Sequence, residues 1–146
     1  MSHVVYKVVF HLREFFLPEN EMHFTNVIFN LLDNAVKYRR EDVPLELTVS
    51  TRDLNGERLQ IIVADNGIGI RRDDLKKIFD KFYRVSTGNR HDVKGFGLGL
   101  AYVKKMVCDL GGEITAESEL GTGTKFKIIL EQLHRLASVP PMILKK

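Results

Sequence analysis

Residues 26–38 read NVIFNLLDNAVKY, and with Phe24 just before them they set the frame for the rest of the chain. Phe24, Val27, Ile28, Leu31 and Ala35 recur at helical spacing and define one buried face. Asn30 and Asn34 are four apart, so they point the same way, with Lys37 and Tyr38 a turn further on. They lie off the face that holds Phe24, Ile28 and Leu31. Two carboxamide oxygens can complete the octahedral shell of a Mg²⁺ that keeps phosphate oxygens and water as its other ligands. Lys37 can offset phosphate charge. A solvated helix face carries the same residues, so this stretch alone fixes a helix and leaves its polar side open.

Upstream, Pro18, Glu19 and Asn20 are expected to open the helix, and the β-branched run His3–Phe10 reads as a strand. Downstream, Pro44 blocks any continuation. Leu45, Leu47 and Val49 alternate on one strand and Leu59, Ile61 and Val63 on the next, joined at the turn dipeptide Asn55-Gly56. Asp73–Phe82 reads as a short helix, with Phe79 and Phe82 expected in the core. Val85–Lys94 is polar and lacks apolar periodicity, as a loop does. A helix follows, with Leu100, Val103, Val107 and Leu110 on one side and Gly111-Gly112 ending it. Ile114 and Ala116 alternate on another strand, and Phe126, Ile128 and Leu130 on the last. Helices alternate with strands, but strands also arrive as hairpins. The expected class is α/β, a two-layer sandwich of a mixed sheet with helices packed on one face.

Two glycine segments carry the chemistry. In Asp65-Asn66-Gly67-Ile68-Gly69-Ile70 a carboxylate at a strand end can accept a hydrogen bond from an exocyclic amine such as that of adenine. The glycines let a ring approach the backbone closely. In Gly95-Phe96-Gly97-Leu98-Gly99-Leu100, alternate glycines before a helix expose successive N–H groups beside the positive helix end, which favours a polyphosphate. The spacing is not a dinucleotide fingerprint, and no GxxxxGK segment exists. Arg84 enters the polar loop within reach of a phosphate. The turn Gly121-Thr122-Gly123-Thr124 joins two strands, where Thr124 can place a hydroxyl near a base or serve the turn alone.

The totals narrow the partners. The 146 residues suit one domain, and 22 basic against 19 acidic side chains give a net charge of +3, far short of a nucleic-acid binder. One cysteine, Cys108, excludes an internal disulfide and a cysteine zinc cluster; its helical apolar setting predicts a buried thiol. No stretch reaches the roughly 20 apolar residues of a membrane span, and the first ten residues lack a secretion signal.

In this order, five segments resemble the boxes of the histidine kinase ATP-binding domain, a branch of the group that includes type II topoisomerases, Hsp90-type chaperones and mismatch-repair ATPases. NVIFNLLDNAVKY is similar to its asparagine box, DNGIGI to its first glycine box and IFDKFYR (78–84) to its phenylalanine box. GFGLGLAYVKK (95–105) and GTGTKF (121–126) resemble the second and third glycine boxes. The resemblance spans Met22 to Leu130 and implies a Bergerat-type ATP-binding fold. It implies ATP and Mg²⁺ as cofactors, residues 1–133 as the domain and 134–146 as a tail.

By that resemblance Asn34, assisted by Asn30, holds Mg²⁺, and Asp65 holds the adenine amine. Tyr38 and Ile70 line the adenine pocket with Gly67, Gly69 and Thr124. Asn30, Lys37 and Arg84 act at the phosphates. Residues 85–94 form a lid, and Lys94, Gly95, Gly97, Leu98, Gly99 and Leu100 cradle the nucleotide. Relatives that hydrolyse ATP carry a glutamate where Asn30 stands; an amide cannot accept the proton of water, which favours phosphoryl transfer. Phe96 departs from the small residue of many relatives. None of His3, His11, His23, His91 and His134 sits in an HE-x-x-TP-like context. The acceptor histidine is therefore expected on a separate dimerisation domain, with a response regulator downstream. This part is expected to be monomeric and cytoplasmic, in a parent that can be anchored in the inner membrane. A serine kinase of the anti-sigma-factor type and a module with a degenerate nucleotide site are the rival readings.

Overall fold

A computed structural model describes residues 21–83 and 99–131. The chain runs α1 (Glu21–Lys37), β1 (Leu47–Leu54), β2 (Arg58–Asp65), α2 (Arg72–Leu75), α3 (Gly99–Asp109), β3 (Glu113–Glu119) and β4 (Gly123–Glu131). The strands form one sheet in the order β1-β2-β4-β3. β4 enters between β2 and β3, so both hairpins share one sheet, and every pairing among the described strands is antiparallel. The parallel pairing of a mixed sheet is not found among them. The expected strand His3–Phe10, the helix start at Pro18–Asn20 and the tail from 134 lie outside the described residues.

Alternation decides which face is buried. Val49, Leu59, Ile61, Val63, Ile114, Phe126, Ile128 and Leu130 share one side of the sheet and pack against Phe24, Val27 and Leu31 of α1 and Val103 and Val107 of α3. The two long helices also contact each other, which makes the second layer. A smaller cluster of Ala35, Leu45 and Leu47 closes the end of α1 against the start of β1. The hairpin turn follows the sequence: Asn55 and Gly56 both have positive φ, and Asp53 Oδ1 accepts the Gly56 N–H at 3.0 Å.

Two expectations need correction. The helix expected over Asp73–Phe82 stops after one turn at Leu75. Beyond it, Lys77 donates to Asp74, Asp80 to Lys77 and Tyr83 to Asp80, each across three residues, and the Tyr83 hydroxyl folds back onto the Asp74 carboxylate. These tight turns rotate the two rings apart. Phe79 meets Phe126 edge-on at 6.3 Å, while Phe82, at φ 65°, is 71% exposed. Cys108 is exposed rather than buried. The stripe of α3 that faces the sheet runs through Val103 and Val107, and Cys108 shares the opposite side with Lys104 and Lys105.

Leu31 is 1% exposed and Phe29, two residues earlier on the same helix, is 65% exposed. Leu31→Ala is expected to cost about 2–5 kcal/mol in urea unfolding, whereas Phe29→Ala should stay within about 0.5 kcal/mol of the parent.

Candidate nucleotide-binding site

The register that builds the core also ends it with a polar row. Across the sheet Leu47 stands opposite Asp65, Asp65 opposite Thr124, and Thr124 opposite Ser118. One step along each strand pair the same face carries Val63, Phe126 and Ala116, all apolar. Asp65, Thr124 and Ser118 therefore face the helix layer at one end of the core.

Asp65 is half-buried there. Its Oδ1 accepts the N–H of Gly67 at 2.8 Å and that of Thr124 at 3.3 Å. Among the described residues its Oδ2 has no partner. Burial pushes the carboxyl above the usual aspartate range, and the two N–H groups pull it back only in part.

The loop after Asp65 is tied to three neighbours. Ile68 donates to the Tyr38 carbonyl at 3.0 Å, so Tyr38 brings the end of α1 against the loop. Gly121 donates to the Ile68 carbonyl at 2.7 Å. Asn66 bonds the chain before β1, with Oδ1 accepting from Glu46 N at 2.8 Å and Nδ2 donating to the Pro44 carbonyl at 3.0 Å. Arg40 donates to the Gly121 carbonyl at 3.2 Å and pairs with Asp42. Gly69 has φ +74°, and a Cβ there would lie 2.1 Å from the Glu119 carbonyl oxygen. Only glycine allows the loop to lie against β3. Ile70 and Leu100 are half-buried and pack onto the core rim.

The polar side of α1 points toward the start of α3. Asn30 Nδ2 donates to the Asn26 carbonyl at 2.7 Å, which leaves its Oδ1 turned outward. That oxygen is 3.6 Å from where a Cβ on Gly99 would sit. Asn34 is half-buried, and its amide has no partner among the described residues. A pair of neutral oxygen donors of this kind fits Mg²⁺ that arrives already bound to phosphate oxygens. Among the described residues there is no group of three or more His, Cys, Asp or Glu that could hold an ion by itself.

Of the expected site residues, the fold brings Asp65, Gly67, Gly69, Ile70 and Thr124 together at one end of the sheet, with Tyr38 against them. Asn30 and Gly99 meet between the helices, with Asn34 one turn on. Lys37 is turned to the side, its Nζ 2.8 Å from Asp33. Arg84, Lys94, Gly95, Gly97 and Leu98 lie outside the described residues.

Sequence reasoning missed Ser118. Its Oγ accepts the Ile70 N–H at 2.8 Å, donates to the Gly123 carbonyl at 2.7 Å and lies 2.9 Å from Thr124 Oγ1. The available signal was parity: Ser118 continues the alternation of Ile114 and Ala116.

A sheet with helices on one face, a half-buried carboxylate at its end and the outward amide oxygen of Asn30 between the helices defines an α/β nucleotide-binding domain. The family described as histidine kinase-, DNA gyrase B-, and HSP90-like ATPase matches residues 19–134, and the chain belongs to it. It is 63% identical over 114 residues to the sensor protein RprX of Bacteroides fragilis, covering 78% of this chain and 22% of that protein. It is 37% identical over 118 residues to the sensor histidine kinase WalK of Bacillus subtilis, covering 81% and 19%. The chain thus spans about a fifth of the length of these curated relatives.

Among solved structures, a mycobacterial sensor histidine kinase, MprB, superposes with a TM-score of 0.74 at 23% identity, over 86% of this chain and 82% of that one. That likeness is one of fold. Full-length ShkA in complex with AMPPNP gives 0.62 at 28% identity, over 74% and 21%. ATP is the ligand that the family assigns to this fold. No helix among the described residues is long and apolar enough to cross a membrane.

The raised Asp65 carboxyl has a signed consequence for stability. The folded state holds the proton more tightly than the unfolded chain, so stability falls as pH rises through the folded value. Asp65→Asn keeps an oxygen for Gly67 and Thr124 and has no charge to desolvate. Without nucleotide it is expected to melt above the parent at neutral pH. Thermal scans should show the gap closing as pH falls towards 3.8, the ordinary aspartate value.

Proposed function

We propose that this domain binds Mg·ATP and presents the γ-phosphate to a histidine on a separate dimerisation domain of a longer sensor kinase. The reading rests above all on Asp65, a half-buried carboxylate with one oxygen fixed by two N–H groups and the other unpaired among the described residues. That arrangement suits the amino group of adenine. Tyr38, Gly67, Gly69, Ile70 and Thr124 surround it as the base pocket. The 63% identity to a sensor protein supports the histidine acceptor over a serine acceptor.

The phosphates extend from there along the polar side of α1 towards the first turn of α3. Asn34 and Asn30 hold Mg²⁺ through their amide oxygens, and the bound ion supplies charge neutralisation on the transferring group. The α3 N-terminus at Gly99 and Leu100, with Lys94, Gly95, Gly97 and Leu98 before it, gives backbone N–H groups to the phosphate oxygens. Lys37 leaves Asp33 for the phosphates at little cost, because an exposed ion pair of this kind is worth at most about 1 kcal/mol. Arg84 adds a second positive charge.

A histidine nitrogen then attacks the γ-phosphorus, its bond to the bridging oxygen breaks, and ADP leaves. Asn30 cannot act as a base for water, so hydrolysis does not compete effectively. Catalysis is positioning and charge neutralisation. The phosphohistidine passes its phosphoryl group to a response regulator. The domain works in the cytoplasm without nucleic acid, as a monomer outside the parent's dimer.

Titration with a non-hydrolysable ATP analogue tests the pocket. The parent is expected to bind saturably and in a Mg²⁺-dependent way. Asp65→Asn should lose at least about 100-fold, since an amide turned to satisfy Gly67 and Thr124 presents an N–H donor to the adenine amine. Asn34→Asp should change the Mg²⁺ dependence with the base contacts intact. Equal binding by all three proteins would show the pocket to be elsewhere. With a histidine-bearing dimerisation domain supplied in trans, Lys37→Ala is expected to slow phosphotransfer by more than it weakens analogue binding. The product should be acid-labile, as phosphohistidine is and phosphoserine is not.

A further inference from the structure

The hydrogen bonds around Ser118 fix which way a neighbouring hydroxyl points. A hydroxyl has one hydrogen and two lone pairs. The Gly123 carbonyl can only accept, so the Ser118 hydrogen goes to it, at 2.7 Å. The Ile70 N–H takes one lone pair at 2.8 Å. The remaining contact, 2.9 Å to Thr124 Oγ1, must then be donated by Thr124. That commits the Thr124 hydrogen to β3 and leaves Oγ1 with acceptor capacity alone. In the same row, Asp65 is an acceptor as a carboxylate, with Oδ1 already taken by the N–H groups of Gly67 and Thr124.

We propose that Ser118 is a positioning residue for base selection: by drawing the Thr124 hydrogen to itself, it makes this wall of the pocket all acceptors and so selects a 6-aminopurine over a 6-oxopurine. The inference rests on the reading of Asp65 and Thr124 as base contacts. Adenine offers an amino donor at C6 and fits two acceptors. Hypoxanthine offers a carbonyl there, which faces lone pairs with no hydrogen between them. Leaving polar groups unpaired in a desolvated site is what makes such discrimination strong. The geometry that holds Ser118 comes from three elements: β3, the first residue of β4 and the loop that ends at Ile70. A change in any of them reaches the base through one hydrogen.

The test compares equilibrium binding of ATP and inosine triphosphate, each with Mg²⁺ at neutral pH, to the parent and to Ser118→Ala. The parent is expected to prefer ATP by at least about 100-fold. In Ser118→Ala the Thr124 hydroxyl is free to turn and donate to the 6-oxo group. The preference should narrow roughly tenfold, mainly through tighter inosine triphosphate binding. A purely structural role would weaken both nucleotides by the same factor, and an unchanged ratio overturns the proposal.

Should Ser118→Ala melt before it can be titrated, Thr124→Val is the second variant. It keeps the shape and removes the acceptor, so the ratio should narrow through weaker ATP binding, and an unchanged ratio again overturns the proposal. A parent that binds neither nucleotide would overturn the ATP reading itself, and the inference with it. A parent that binds both equally would overturn the selection alone.

Discussion

A carboxylate placed where an apolar sheet face meets a helix layer loses much of its hydration, and the rest of the site is arranged around that cost. Asp65 sits in register with Thr124, and its Oδ1 takes N–H groups from Gly67 and Thr124. Those bonds offset part of the desolvation, and the carboxyl still stands above the usual aspartate range. A group held at such a cost is one that gains most from a donor arriving from outside. The apolar rows Val63–Phe126 and Ile61–Ile128 continue from it along the same face of the sheet.

The loops around Asp65 are each tied to another chain segment. Asn66 bonds the approach to β1, Ile68 bonds the end of α1, and Gly121 and Ser118 bond the loop from the other side. Gly123, at φ +135°, would place a Cβ 2.0 Å from the Asp65 carbonyl oxygen, which explains why β4 begins with glycine. Arg40 adds a tie across 81 residues to the same turn. The loops beside Asp65 are therefore held by hydrogen bonds that belong to the fold.

α1 serves both layers of the argument at once. One side fills the core with Val27 and Leu31, and another turns the Asn30 oxygen towards the first residue of α3. The contact between α1 and α3 thus brings Asn30 beside Gly99, although almost 70 residues separate them in the chain. Lys37 lies at the edge of this arrangement on an exposed ion pair, free to exchange partners at small cost.

Periodicity and local chemistry were enough to determine the helices α1 and α3, the alternating faces of all four strands, the Asn55-Gly56 turn, the helical spacing of Asn30 and Asn34 and the place of Asp65 at a strand end. Each of these depends on spacing within a few residues, which a sequence states directly. The expected helix over Asp73–Phe82 failed because the Tyr83 hydroxyl folds back to Asp74 and tight turns replace helical ones. Cys108 failed because two valines were enough to fill the face of α3. Only the tertiary structure brought Ser118 into hydrogen-bonding contact with Ile70, Gly123 and Thr124 and directed the Thr124 hydrogen towards it. The β3–β4 register and the loop at Ile70, 48 residues from Ser118, set those contacts, and the direction of a hydrogen bond follows from which partners a hydroxyl meets rather than from its own residue type.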